Sequence, residues 1–167
     1  MIAVAVIAVI VLIAAFALLG GRSYKATVKQ FITATYDVDA EKLIKVLPDA
    51  VIDRVMKDED YEDYDEMIDD LNDTFESQMR SIKRYIGDDW SMSYKIIKVE
   101  KVSGKDLDEL KKDYKKDFKL KVSAAKVAEV EITIKAGETE NSSSLDIPLV
   151  KVGRSWYIDA PSLGGLF

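Results

Sequence analysis

Any chemistry in this chain has to run on carboxylates, lysines, tyrosines and serines, because its 167 residues include no histidine and no cysteine. The commonest general base and metal ligand is therefore missing, together with thiolate nucleophiles, zinc-thiolate sites and disulfides. The densest group of carboxylates lies between Asp58 and Glu76, where 11 acidic residues occur and no Lys or Arg appears until Arg80. Crowded carboxylates suit a hard cation such as calcium. The spacing does not: there is no Asp-x-Asp-x-Asp-Gly core and no glycine to turn a loop, and Tyr61 and Tyr64 interrupt the run. The acids are read instead as the N-terminus of a helix, where they complement its dipole, continuing onto the solvent face. No metal and no cofactor is expected.

Lysines cluster at Lys111, Lys112, Lys115, Lys116, Lys119 and Lys121. A basic helix can face an anionic membrane or polymer. Here Asp106, Asp108, Glu109, Asp113 and Asp117 are interleaved with the lysines, which favours a solvated, salt-bridged face. With 24 basic against 30 acidic residues the chain is net acidic, which argues against a nucleic-acid partner. Among the tyrosines, Tyr36 and Tyr94, with Trp90, stand where a pocket between helices and a sheet would find its polar and aromatic groups.

Those residues must be positioned by elements of two periods. Ser23 is a candidate N-cap for a helix with Val28, Phe31, Ile32 and Tyr36 at helical spacing. Asp37-Val38-Asp39 breaks it, Leu43, Ile44 and Leu47 form a short face, and Pro48 opens a further helix with Val51, Ile52, Val55 and Met56. The longest helix runs from Asp63 to Ile86. Its stripe of Tyr64, Met67, Ile68, Leu71, Phe75, Met79, Ile82, Tyr85 and Ile86 is expected to lie across a sheet, with Gly87 as its cap. After Gly87 the period becomes 2: Trp90, Met92, Tyr94 and Ile96 alternate with polar residues, and Ile97 and Val99 follow with room for a bulge. Ser103-Gly104 leads into a short helix with Leu107, Leu110, Tyr114 and Phe118 inward. A strand through Ala128, Val130, Ile132 and Ile134 follows, then a polar loop from Gly137 to Ser144, then a strand opening at Leu145.

Gly153-Arg154 fits a two-residue type II′ turn. Pairing across it sets Val152 opposite Ser155, Lys151 opposite Trp156, Val150 opposite Tyr157 and Leu149 opposite Ile158. One face then carries Leu145, Ile147, Leu149, Trp156 and Ile158 as core. The other carries Val150, Val152 and Tyr157, apolar enough to meet a partner subunit.

Ahead of all this stand 18 apolar residues, Ile2–Leu19, without a charge or a proline. At about 1.5 Å per residue they reach roughly 27 Å, near a bilayer's hydrocarbon thickness. They are read as a transmembrane anchor; Ala15-Phe16-Ala17 also has the form of a signal-peptide cleavage site, and the run is longer than such peptides usually carry. Arg22, Lys25 and Lys29 follow the run and no basic residue precedes it, which taken literally leaves the domain in the cytoplasm as a regulatory module. The expectation is instead that a longer natural N-terminus holds the domain on the extracytoplasmic side. The chain thus divides into a membrane segment at 1–21, one α+β domain at 22–160 and a loose tail at 161–167.

The phrase Leu149-Val150-Lys151-Val152-Gly153-Arg154-Ser155-Trp156-Tyr157-Ile158-Asp159 resembles the final hairpin of nuclear transport factor 2-like, cystatin-related domains. The opening does too, with Phe31 to Tyr36 leading into Asp39-Ala40-Glu41-Lys42-Leu43 and a short helix at Leu47-Pro48. Residues 23–160 look like the membrane-tethered members common in Gram-positive bacteria, many of unknown function. The turn departs from the pattern, with Gly-Arg where those domains usually have Asp-Gly. The element order fits too, with three helices, a strand, a short helix and three strands in an α+β two-layer pattern, and the resemblance implies that the helices pack on a curved, cone-like antiparallel sheet of about four strands. Enzymes of the superfamily use acidic, tyrosine or histidine residues inside that cone, and no matching constellation is found here.

The expected function is a non-catalytic, membrane-tethered extracytoplasmic domain that binds a ligand or an envelope protein, or pairs with a second copy through Val150, Val152 and Tyr157. The alternative is a small-molecule binder or enzyme with a pocket between the long helix and the sheet, using Tyr36, Tyr94 and Trp90 with a carboxylate.

Overall fold

The computed structural model describes residues 21–163. The expected anchor Ile2–Leu19 and the end of the tail lie outside the described residues. Among the described residues no helix is long and apolar enough to cross a membrane.

Four helices precede the first strand, not three, because two local signals divide the second segment. Helix α1 (Tyr24–Asp37) begins where the Ser23 side chain accepts the Ala26 N–H, and it ends at Val38, whose left-handed backbone (φ 56°) returns an N–H to the Ala34 carbonyl. Asp39 then caps α2 (Ala40–Ile44) by accepting the Lys42 N–H at 2.9 Å. Pro48, with its φ fixed at −68°, opens α3 (Asp49–Asp58). In α4 (Tyr64–Ile86) the Asp63 carboxylate accepts the Glu66 N–H, and the Glu66 carboxylate reaches back to the Glu62 N–H at 2.7 Å. This exchange resembles a capping box with its return bond moved to the residue before the cap, and it explains several of the clustered acids as helix-start groups.

The α4 stripe departs from expectation. Met67 and Phe75 are buried and Ile68 and Leu71 half-buried, but Tyr64 is 38% exposed, Ile82 39% and Tyr85 91%. The helix makes its close backbone approach to α2, where Asn72 Oδ1 accepts the Ala40 N–H at 3.0 Å. Its last turns outrun the elements available to cover them.

The sheet is antiparallel throughout, in the order β1 (Trp90–Val102), β2 (Val122–Ala136), β3 (Thr139–Val152) and β4 (Ser155–Ile158). A bulge at Ile97 shifts the β1–β2 register between Ile96 and Lys98 and leaves Ile97 48% exposed. All four expected pairs of the β3–β4 hairpin are present, with Gly153 at φ 59°. The segment from Thr139 to Ser144 is strand, not loop: Ala136 pairs with Thr139 across Gly137-Glu138, and Gly137 takes φ 57°. Its residues are polar and exposed on both sides, so backbone bonds to β2 and a hydroxyl contact between Thr133 and Ser142 at 2.7 Å define it. Leu145, expected in the core, lies in this outrun part of the ladder and is 41% exposed.

One face of the sheet carries Ala128, Val130, Ile132, Ile147, Leu149 and Ile158 into a common core with Val28, Phe31 and Ile32 of α1. Around Ala125 and Val150 the second face is covered by the chain itself, and further along it is open and charged at Lys98, Glu129 and Asp146. Helix α5 (Gly104–Asp117) folds back on β2, and its Leu107, Leu110 and buried Tyr114 join Ala125 and Val150 in the core. Val150 is 0% exposed. The apolar character of that face is accounted for by α5, so Val150 has no surface to offer a second copy; Val152 and Tyr157 are half-buried beside it.

Candidate functional site

The expected aromatic site is only partly assembled. Tyr36 and Trp90 meet with ring centroids 5.9 Å apart, tilted by 49°, at the far end of α1. Burial alone pushes the Tyr36 hydroxyl above its ordinary range, with no charged neighbour contributing. Tyr94 lies four residues further along β1 and takes part in a different feature. That feature is a groove of about 580 Å³ between α1 and the edge of β1, lined by Tyr24, Lys25, Lys29, Tyr94, Ile96 and Ile97, with Ala26, Lys98 and Val99 completing the wall. No carboxylate lines it.

The helix and strand periods build this groove. Tyr24, Lys25 and Lys29 occupy the first turns of α1, beside the N-cap, and the bulge at Ile97 turns an apolar side chain outward that regular alternation would not place there. At the groove's inner end Tyr24 meets Trp156 edge-on at 6.3 Å, and Lys126 Nζ lies 4.1 Å from the Tyr24 ring and 4.9 Å from the Trp156 ring. The ammonium is held by the negative faces of two aromatic rings, which fixes both side chains.

The two edges of the sheet differ. At β4 the Trp156 N–H donates to the Arg22 carbonyl and the Ile158 N–H to the Val46 carbonyl, each at 2.9 Å. That stretch is sealed, whereas β3 from Thr139 to Ile147 pairs only with β2. Among the described residues β1 makes no backbone ladder with any segment other than β2, so the edge beside the groove is open along 13 residues. An open edge is a template for another extended chain.

A tyrosine and a carboxylate do converge elsewhere. Tyr114 Oη donates to Asp159 Oδ1 at 2.7 Å, and Ser162 Oγ donates to Asp159 Oδ2 at 2.6 Å. Burial first, then the Asp159 charge and hydrogen bond, hold the Tyr114 hydroxyl far above its usual titration range. Asp159 is 2% exposed, and no buried side-chain polar atom among the described residues lacks a partner. The pair ties α5 to the chain after β4. The 45-residue separation hid it: only an inward tyrosine and an aspartate closing a strand mark it in the sequence.

The face of α5 is salt-bridged as expected, with Lys105–Glu109 at 3.5 Å, Lys111–Asp108 at 3.6 Å and Lys116–Asp117 at 3.5 Å, but its flanks differ in charge. Asp106, Glu109, Asp113 and Asp117 fall on one flank and line a cleft of about 350 Å³ with Pro161 and Ser162. Lys111 and Lys115 fall on the other and join Lys119, Leu120, Lys121, Val122 and Ser123 around a cleft of about 630 Å³. Spacings of three and four residues gather four acids on one flank and Lys111 and Lys115 on the other, with Asp108 beside Lys111. Among the described residues no group of His, Cys, Asp and Glu has an arrangement that would hold a metal ion.

Comparison with protein-family models, with curated proteins and with solved structures gives no match.

Proposed function

We propose that this chain is a membrane-tethered, non-catalytic extracytoplasmic domain of the nuclear transport factor 2-like kind. Its role is to hold an extended segment of another envelope protein along the open edge of β1. The observation that carries this reading is the groove beside that edge: free backbone on one side, Tyr24, Tyr94 and Ile97 as apolar contacts, and Lys25 and Lys29 as the fringe. Strand addition supplies backbone hydrogen bonds and leaves selectivity to alternate side chains. A fringe of lysines without a carboxylate favours a segment bearing Asp or Glu.

The alternative of a small-molecule site at Tyr36, Tyr94 and Trp90 has less support. Tyr36 and Trp90 pack on each other, and the groove beside Tyr94 brings no carboxylate with it.

The test is a photoreactive amino acid at Ile97 in the full chain, expressed in intact cells. The expected result is one cross-linked envelope protein, lost in the Lys25→Glu/Lys29→Glu variant. Cross-linking no different from that of the same group placed at Glu138, in the remote β2–β3 turn, would overturn it.

A further inference from the structure

The lysine cleft lies at the end of the domain where Gly21, the first described residue, packs. Gly21 packs so closely on the β3–β4 turn that a Cβ there would collide with the Arg154 carbonyl. Two residues before Arg154, Val152 pairs with Val122, which is flanked by Lys121 and Ser123, and the Ser123 hydroxyl donates to the Lys151 carbonyl. One strand spacing and two residues therefore separate Gly21 from the cleft, roughly 10 Å. The apolar run ends at Leu19. The acidic flank of α5 lies on the opposite side of the helix, beside Asp159 and Ser162.

We infer that this cleft is a docking face for the anionic headgroups of the membrane in which the chain is tethered. The inference rests on the tethered reading above. Lys111, Lys115, Lys119 and Lys121 rim a floor of Leu120 and Val122 with no carboxylate in the lining. Lys111 has Asp108 at 3.6 Å, and Lys119 Nζ donates to the Lys116 carbonyl, while Lys115 and Lys121 form no ion pair among the described residues. Basic side chains at an anionic surface each strengthen attachment by about fivefold, an attraction that falls off within a Debye length. Sorting lysines toward the tether and acids away from it orients the body on the bilayer. A rim of ammonium groups over an apolar floor also matches a phosphate headgroup above its acyl chains.

The absence of cysteine allows a single reporter. The full chain carrying Ser123→Cys, labelled with a fluorophore, is reconstituted into vesicles containing a headgroup-quencher lipid. The vesicles are either phosphatidylcholine alone or phosphatidylcholine with phosphatidylglycerol. The expected result is quenching severalfold stronger in the anionic vesicles. It should fall to the neutral level in 1 M salt and in the variant with Lys111, Lys115, Lys119 and Lys121 all changed to Gln. The same label at Glu138→Cys, roughly 45 Å along β2, should show no difference between vesicles. Equal quenching in both vesicle types, or quenching untouched by the four substitutions, would overturn the inference. So would a contrast abolished by stoichiometric polyphosphate at constant ionic strength, which would assign the cleft to a soluble polyanion. A carbonate wash separates the tether from the face. If the chain washes off, the tethered reading fails, and the washed chain is then added to the same vesicles. Quenching confined to the anionic set sustains the face, and none in either set overturns it.

Discussion

Tyr114 and Asp159 are among the few polar side chains sunk in the core, and each is the other's main partner. Tyr114→Phe leaves one carboxylate oxygen of Asp159 buried and unpaired, so a loss of about 1–3 kcal/mol is expected in urea unfolding at neutral pH. The pair also sets an alkaline limit. The Tyr114 hydroxyl is raised above its unfolded value of about 10. Its contribution is therefore complete below pH 10 and is lost as pH rises beyond it, because the unfolded chain ionises there first. Tyr61, pushed up to about 12 chiefly by its hydrogen bond to Asp70, acts in the same sense between pH 10 and 12. Stability measured from pH 9 to 12 should decline, and more gently in Tyr114→Phe. A decline of unchanged slope would show that Tyr114 is not the group responsible. At Gly21, alanine would drive its Cβ into backbone that cannot yield, and about 1–3 kcal/mol should be lost in Gly21→Ala.

Helix α4 separates what amphipathic spacing says from what packing delivers. Phe75→Ala should cost about 3–5 kcal/mol and Met67→Ala about 2–5 kcal/mol, whereas Tyr85→Ser should fall within about 0.5 kcal/mol of the parent chain by thermal or urea unfolding. A large loss at Tyr85 would mean the last turns are covered after all. The local signals were legible: Ser23 as a cap, Asp37-Val38-Asp39 as a break, Pro48 as a start, Gly87 as a stop, and the Gly153 turn with its register. They are legible because each acts within four residues of itself. The stripe of α4 was misjudged because spacing shows which side is apolar, and not how far neighbouring elements extend to meet it. The start of β3 was missed because Thr139 to Ser144 has no alternation to read, although Gly137-Glu138 carries the same glycine-first turn as Gly153-Arg154. Val150 was taken for an interface because the return of α5 onto β2 is a tertiary event. The groove at the edge of β1 had one visible component, Tyr94, and its other wall comes from α1, some 65 residues away.

At the scale of the whole molecule, the proposed role assigns binding to the open edge of β1 and attachment to the end of the sheet sealed at β4. Sidedness follows from the proposed role: protease added to intact cells should degrade the domain of the full chain, and survival until the membrane is breached would place it inside. The seal at β4 has a further consequence, in mechanics. Arg22 gives its carbonyl to Trp156, its Nε to the Trp156 carbonyl at 3.2 Å and its Nη1 to the Lys45 carbonyl at 2.5 Å, and its guanidinium carbon lies 5.0 Å from the Tyr157 ring centre. Only Gly20 and Gly21 stand between this clamp and the apolar run. A load applied at Arg22 would be taken up by the sheet's own edge at Trp156 together with the Lys45 carbonyl that ends α2.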